Sequence, residues 1–208
     1  MIDINNVYWR FKHLKGEVIG HGSEKFCYLN KKDKSKCFKV SKVSDDSQIR
    51  KEISYFKMLD KKGEYPSFLP KFYGGFESKE YIGYEQECFL ETSKGGKCDK
   101  VCSLCALIEN IDVDIKEITY QLDKLKCEML KFNFICCDLH GKNILYVVEA
   151  DVSKLVVIDG IGGTELFPVA QYVKILGRLK IERQWGKLDR RLKASYLVRE
   201  SLNKKNRG

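Results

Sequence analysis

The chain has 208 residues, 43% hydrophobic and 32% charged, with 16 glycines and 3 prolines, which excludes a disordered, collagenous or coiled-coil protein. It is long enough for one domain, or two small lobes sharing a core. Nothing approaches the ~18 uncharged apolar residues of a membrane-spanning helix, and the start has no basic stretch running into an apolar one, so a cytoplasmic chain is expected.

In chain order, residues 15–30 read as two strands about a glycine turn. Residues 36–42 read as a third strand, with Phe38 and Val40 on one face and Cys37, Lys39 and Ser41 on the other. Ile49, Ile53, Phe56 and Leu59 recur at helical spacing over 45–61. Pro66 and Pro70 break that pattern, and 71–77 and 81–88 read as two more strands. Gly95 and Gly96 mark a loop, which divides the chain into an N-terminal lobe, 1–92, and a C-terminal lobe, 93–208. In the second, Ile115, Ile118, Leu122, Leu125, Met129 and Phe132 step by three and four, predicting a helix over 114–133. Short strands follow around 143–148 and 155–158, then helix from 168 to near the end. The expected fold class is α+β, two-lobed: a five-stranded antiparallel sheet plus one helix, then a reduced, mainly helical lobe.

The chemistry concentrates after the long helix. The segment Cys137-Asp138-Leu139-His140-Gly141-Lys142-Asn143-Ile144-Leu145 sets an Asp five residues before an Asn, and sixteen residues beyond Asn143 an apolar strand ends in Asp159-Gly160. Kinase-type phosphoryl transfer needs this order: one Asp beside the attacking hydroxyl, then an Asn and a second Asp holding magnesium. The N-terminal lobe supplies matching parts. Gly20 and Gly22 open a turn whose backbone N–H groups suit phosphate. Lys39 lies on a strand, and Glu52 on the following helix would orient it toward the phosphates. Each part alone is weak, whereas the ordered set is specific.

With these residues the chain resembles the protein-kinase-like superfamily. Asp138-Leu139-His140-x-x-Asn143-Ile144-Leu145 is closest to its aminoglycoside-phosphotransferase and lipopolysaccharide-core kinase branch. More narrowly, the stretches Gly20 to Tyr28, Leu69 to Gly74 and Asp159 to Pro168 resemble the YrbL family of bacterial kinase-like proteins, associated with the PhoP regulatory network. The resemblance implies a kinase fold that uses ATP and Mg2+. Lys25 replaces the third glycine of the turn, and Cys136 replaces the usual His two residues before Asp138. Asp159 meets Gly160 directly, without the usual intervening Phe. Only 49 residues follow Asp159, leaving little room for a peptide-docking platform, so a small or glycan-attached hydroxyl fits better than a protein.

The nine cysteines, an odd count, are expected to be reduced thiols. Cys98, Cys102 and Cys105 have spacing compatible with zinc or an iron–sulfur cluster, but positions i, i+4 and i+7 also form one helix face of packed thiols. Residues 174–208 hold 12 Lys/Arg against 3 Asp/Glu, a net of +9 that accounts for the whole excess of the chain. That end suits a phosphate-rich partner or a solvated face. Trp185 with the surrounding arginines admits nucleic acid as the weaker partner reading, and Leu176, Leu179 and Trp185 admit peripheral contact with an anionic membrane through 174–207.

The combined expectation is an ATP- and magnesium-dependent phosphotransferase. Asp138 is its base, Asn143 and Asp159 hold the metal, and Lys39 with Glu52 and the Gly20–Gly22 turn bind nucleotide. Its acceptor is a hydroxyl of a lipopolysaccharide-core sugar or another anionic, phosphorylated glycan or small molecule, and its place is cytoplasmic or peripheral at the inner membrane. The alternatives are a Ser/Thr/Tyr protein kinase, a pseudokinase-type regulatory binding module, and a nucleic-acid-binding protein.

Overall fold

The computed structural model describes residues 6–22, 24–63, 65–91, 100–109, 114–150, 152–162 and 173–205. Two compact units divide the chain. The first comprises Met1–Tyr65 with Pro70–Phe89, and the second Pro66–Leu69 with Leu90–Gly208.

The first unit is a five-stranded antiparallel sheet with a helix on each face. Its strands are β1 (Lys15–His21), β2 (Phe26–Asn30), β3 (Lys36–Lys42), β4 (Phe72–Glu77) and β5 (Tyr81–Glu87), in the order β1-β2-β3-β5-β4. Side chains alternate across a strand, so the register separates two faces. Phe38 and Val40 pack with Val7, Phe11 and Phe76 on one face. Cys37 lies opposite Gln86 and Lys39 opposite Tyr84, putting these four on the other face. That face receives α2 (Ser47–Lys62), whose Ile49 and Phe56 are fully buried.

A second helix, α1 (Val7–Leu14), precedes the sheet, where the sequence suggested a single helix in this part of the chain. The Asn6 carboxamide oxygen caps it by accepting the amide hydrogens of Tyr8 and Trp9 at 2.8 and 3.3 Å, satisfying two donors that a helix start leaves open. Phe11 stacks on Phe76 with ring centroids 5.1 Å apart. Arg10 Nε donates to Glu85 Oε2 at 2.7 Å, and Asn30 Nδ2 donates to Glu85 Oε1 at 3.2 Å. These bonds let β5 keep a carboxylate that is 1% exposed.

The second unit contains β6 (Val101–Ser103), α3 (Leu104–Glu109), α4 (Ile115–Phe132), β7 (Ile144–Glu149), β8 (Val152–Val157) and α5 (Lys174–Lys205). α4 matches its periodicity: Ile118, Leu125 and Met129 are buried, and Asp114 caps the start by accepting from Lys116 N at 2.8 Å. Asn133 ends it in the left-handed conformation at φ 51°. The strands form one antiparallel sheet, β6-β7-β8.

The single helix face expected around Cys98, Cys102 and Cys105 is not formed. Cys102 lies on β6 opposite Tyr146 and Cys105 on α3, because 101–103 adds as an edge strand to β7. Cys98 lies outside the described residues. So does the expected start of the last helix at 168, whose described part begins at Lys174. Among the described residues no helix is long and apolar enough to cross a membrane.

Candidate functional site

In the first unit, Gly20 lies near the end of β1, and Gly22 donates its N–H to the Lys25 carbonyl at 2.8 Å, closing a tight turn. A side chain added at Gly22 would meet nothing within 4 Å, so the outer side of the turn is open. Lys39 is central on β3, 7% exposed, with Cys27 opposite on β2 and Tyr84 opposite on β5. Glu52 is fully buried on α2. Its carboxylate accepts the Tyr84 hydroxyl at 3.0 Å and Lys25 Nζ at 2.7 Å. Lys25, which stands in the third glycine's place and is expected there either to loosen the turn or to add its charge, is a charged partner of Glu52.

In the second unit, Asn133 turns the chain out of α4, and Phe134 and Ile135 sink into the core. Cys136 then bridges to Ile161, Cys137 N–H donates to Gly160 O at 2.8 Å, and Gly162 N–H donates to Ile135 O at 3.0 Å. These bonds hold the segment before Asp138 against the segment after Asp159. On the far side of the loop, Ile158 N–H donates to Asn143 O at 2.9 Å, so Asn143 lies beside the end of β8. The backbone thus brings Asp138, Asn143 and Asp159 into one cluster.

Within it, Asn143 Nδ2 donates to Asp138 O at 3.1 Å and to Asp138 Oδ2 at 3.2 Å. His140 has no assigned part in the phosphoryl transfer expected from the sequence. Its Nδ1 accepts Lys142 N–H at 3.2 Å, and its Nε2 lies 3.2 Å from Asp138 Oδ2. The Asn143 bond and the His140 contact fall on the same oxygen of a carboxylate that is 59% exposed. Asp159 Oδ1 accepts Gly160 N–H at 2.8 Å. The His140 contact was foreseeable only from its place two residues after Asp138, since it depends on the turn that the Asn143 N–H closes on His140 O at 2.9 Å.

Behind the loop the environment is apolar. Cys136 is 1% exposed, and burial pushes its thiol pKa up. Cys102 is disulfide-bonded, correcting the expectation that every cysteine is a reduced thiol and removing it from any thiolate ligand set. Among the described residues no group of three or more His, Cys, Asp or Glu is placed to hold a metal ion. The donors at the loop are a carboxylate and an amide, Asp159 and Asn143. Hard oxygen donors in small number fit magnesium, which keeps much of its own water, and do not fit a soft-metal cage.

Fold and loop together define a mixed α+β protein whose second unit gathers an aspartate, an asparagine and a second aspartate on the turn after its long helix. The chain belongs to the YrbL family: the family model for PhoP regulatory network protein YrbL matches residues 13–193. Similar proteins, each named "Uncharacterized protein YrbL", occur in Escherichia coli (strain K12) and Shigella flexneri. Each is 27% identical over 172 residues, covering 80% of both chains.

Proposed function

We propose that this chain is an ATP- and magnesium-dependent phosphotransferase whose acceptor is a hydroxyl on a non-protein, anionic molecule, with lipopolysaccharide-core sugars and related phosphorylated glycans as the substrate class. The observation that carries the reading is the Asp138 carboxylate, which is 59% exposed, accepts Asn143 Nδ2 at Oδ2 and has His140 Nε2 3.2 Å from the same oxygen. A carboxylate oriented in this way accepts or aligns the proton of an attacking hydroxyl.

Asn143 and Asp159 would hold magnesium, which when bound neutralises phosphate charge. His140 keeps the base oriented, and Asn143 ties the base to the metal ligands. In the first unit, Lys39 is the phosphate clamp. The turn after Gly20 is open on its outer side at Gly22, which leaves room for phosphate, while the Gly22 N–H itself closes the turn on Lys25 O. Glu52, assigned as the partner of Lys39, binds Lys25, which brings a lysine of the turn itself beside the proposed phosphate-binding charge.

The test is transfer of labelled phosphate from magnesium–ATP to isolated core oligosaccharide, with Asp138→Ala alongside. Loss of turnover by orders of magnitude in the variant is expected, because the chemistry is mostly positioning and charge. Normal turnover in the variant would exclude Asp138 as base. The Lys25–Glu52 pair favours a second reading, a regulatory module that binds nucleotide without transferring phosphate. Nucleotide binding with no transfer to any acceptor would select it.

A further inference from the structure

The outward face of α5 carries an unusual combination. Ile175, Leu176 and Leu179 are 74%, 45% and 64% exposed, and Leu197, further along the same face, is 64% exposed. The opposite face is a conventional packing surface, with Ile181 and Leu188 each 1% exposed. It is fixed to the unit by Gln184 Nε2 donating to Cys137 O at 3.4 Å and by Lys126 of α4, which pairs with Glu182 at 2.8 Å. The helix is therefore seated, and its exposed aliphatic residues lie on the side away from that seat.

Helical spacing places Arg183 and Arg190 in the same outward stripe as Ile175 and Leu179, and Lys187 on its border. Acidic residues do not balance them. Glu182 and Asp189 lie at the stripe's edge, engaged by Lys126 and Lys193. Among the described residues Arg183 and Lys187 make no ion pair. Residues 174–208 hold the entire +9 net charge of the chain.

We infer that this face of α5 docks on an anionic lipid surface, with Ile175, Leu176 and Leu179 entering the headgroup–acyl boundary and the basic residues over lipid phosphates. The mixture of side chains selects this partner. A solvated face gains nothing from three exposed aliphatic residues at its start. A nucleic acid rewards the cations but offers the aliphatic side chains only phosphate and water. A membrane surface rewards both, since apolar burial and attraction to anionic headgroups act together. The inference is independent of the phosphotransferase reading, because none of these residues belongs to the Asp138 cluster.

The experiment is sedimentation of the full chain with vesicles of phosphatidylcholine alone or of phosphatidylcholine mixed with phosphatidylglycerol. One variant combines Ile175→Ser with Leu179→Ser, and a second combines Arg183→Glu with Lys187→Glu. All four positions lie away from the helix seat, and fluorescence of half-buried Trp185 checks that each variant folds. The wild type is expected to sediment with the mixed vesicles and not the neutral ones. Each double variant should bind roughly tenfold more weakly or worse, given the apolar area or charge it loses. Failure of the wild type to bind mixed vesicles overturns the inference, as does wild-type affinity in the Ser variant. Duplex DNA that displaces the protein from mixed vesicles at equal phosphate concentration overturns it in favour of a nucleic-acid surface.

Discussion

Gly160 stands where only glycine lets Asp138 and Asp159 come together. A Cβ at Gly160 would lie 2.9 Å from the Asp138 backbone nitrogen and 3.1 Å from its Cβ, and the residue sits at φ +73°. Close approach and left-handed backbone both demand the missing side chain. The Asp-Gly pair at the end of β8 is thus a device for packing one aspartate segment against the other.

Gly160→Ala should therefore destabilise the protein by about 2–4 kcal/mol, through strain and a backbone clash, and displace Asp138. Gly186→Ala is its counterpart. Gly186 lies within α5 with nothing within 4 Å of an added Cβ, so alanine there should stabilise by about 0.5–1 kcal/mol. Denaturant unfolding of the two variants checks the contrast in sign, and equal effects would contradict it.

Glu52 is fully buried and bonded to Lys25 and Tyr84. Glu52→Ala removes the acceptor for both, and Tyr84 is itself 0% exposed. A loss of about 2–4 kcal/mol is expected by chemical denaturation. A loss within experimental error would mean that the Lys25 pair does not hold the turn to α2.

Acid should weaken the tie between α4 and β8. The Ser153 hydroxyl, and after it the Gln121 amide, donate to Glu117 and hold its carboxyl below the usual 4.5. Because the folded pKa is depressed, this stabilisation is complete above about pH 4.5 and is lost as pH falls through the folded value. Thermal midpoints of wild type and Glu117→Gln, followed from neutral pH downward, should converge in acid. A gap constant with pH would disprove the linkage.

Thiol reactivity should follow burial. The Cys27 contact draws the Cys37 pKa down, but the Cys88 contact and burial outweigh it and carry the thiol up to about 12. Cys136 is also pushed up by burial, whereas Cys127 is exposed on α4. Since the thiolate is the reacting form, iodoacetamide at neutral pH should label Cys127 well before Cys37 or Cys136, as read by peptide mass spectrometry. Equal labelling would show that the loop before Asp138 opens readily.

Periodic burial was the most legible part of the sequence. Ile118, Leu125 and Met129 announced α4, and the alternation of Phe38 and Val40 with Cys37 and Lys39 announced both faces of β3. α1 was hidden because only Val7 and Phe11 of its eight residues are buried, too few to set a period. Around Cys102 the spacing pointed to a helix, but pairing with β7 overrode local preference. At the site, Asp138, Asn143 and Asp159 were legible from order and spacing. The Lys25–Glu52 pair was not, since it joins residues 27 apart through a turn geometry that no periodicity encodes. The requirement at Gly160 likewise arises only when the two loop segments are packed together.

The most direct test of the central claim is the thermal midpoint of the pure protein with and without magnesium–ATP, beside Asp159→Ala. A ligand that binds the native state must raise its stability by mass action. The account predicts a rise in the wild type that grows with ATP concentration, requires magnesium and vanishes in the variant. No rise in the wild type at any ATP concentration, or an equal rise in the variant, would contradict it.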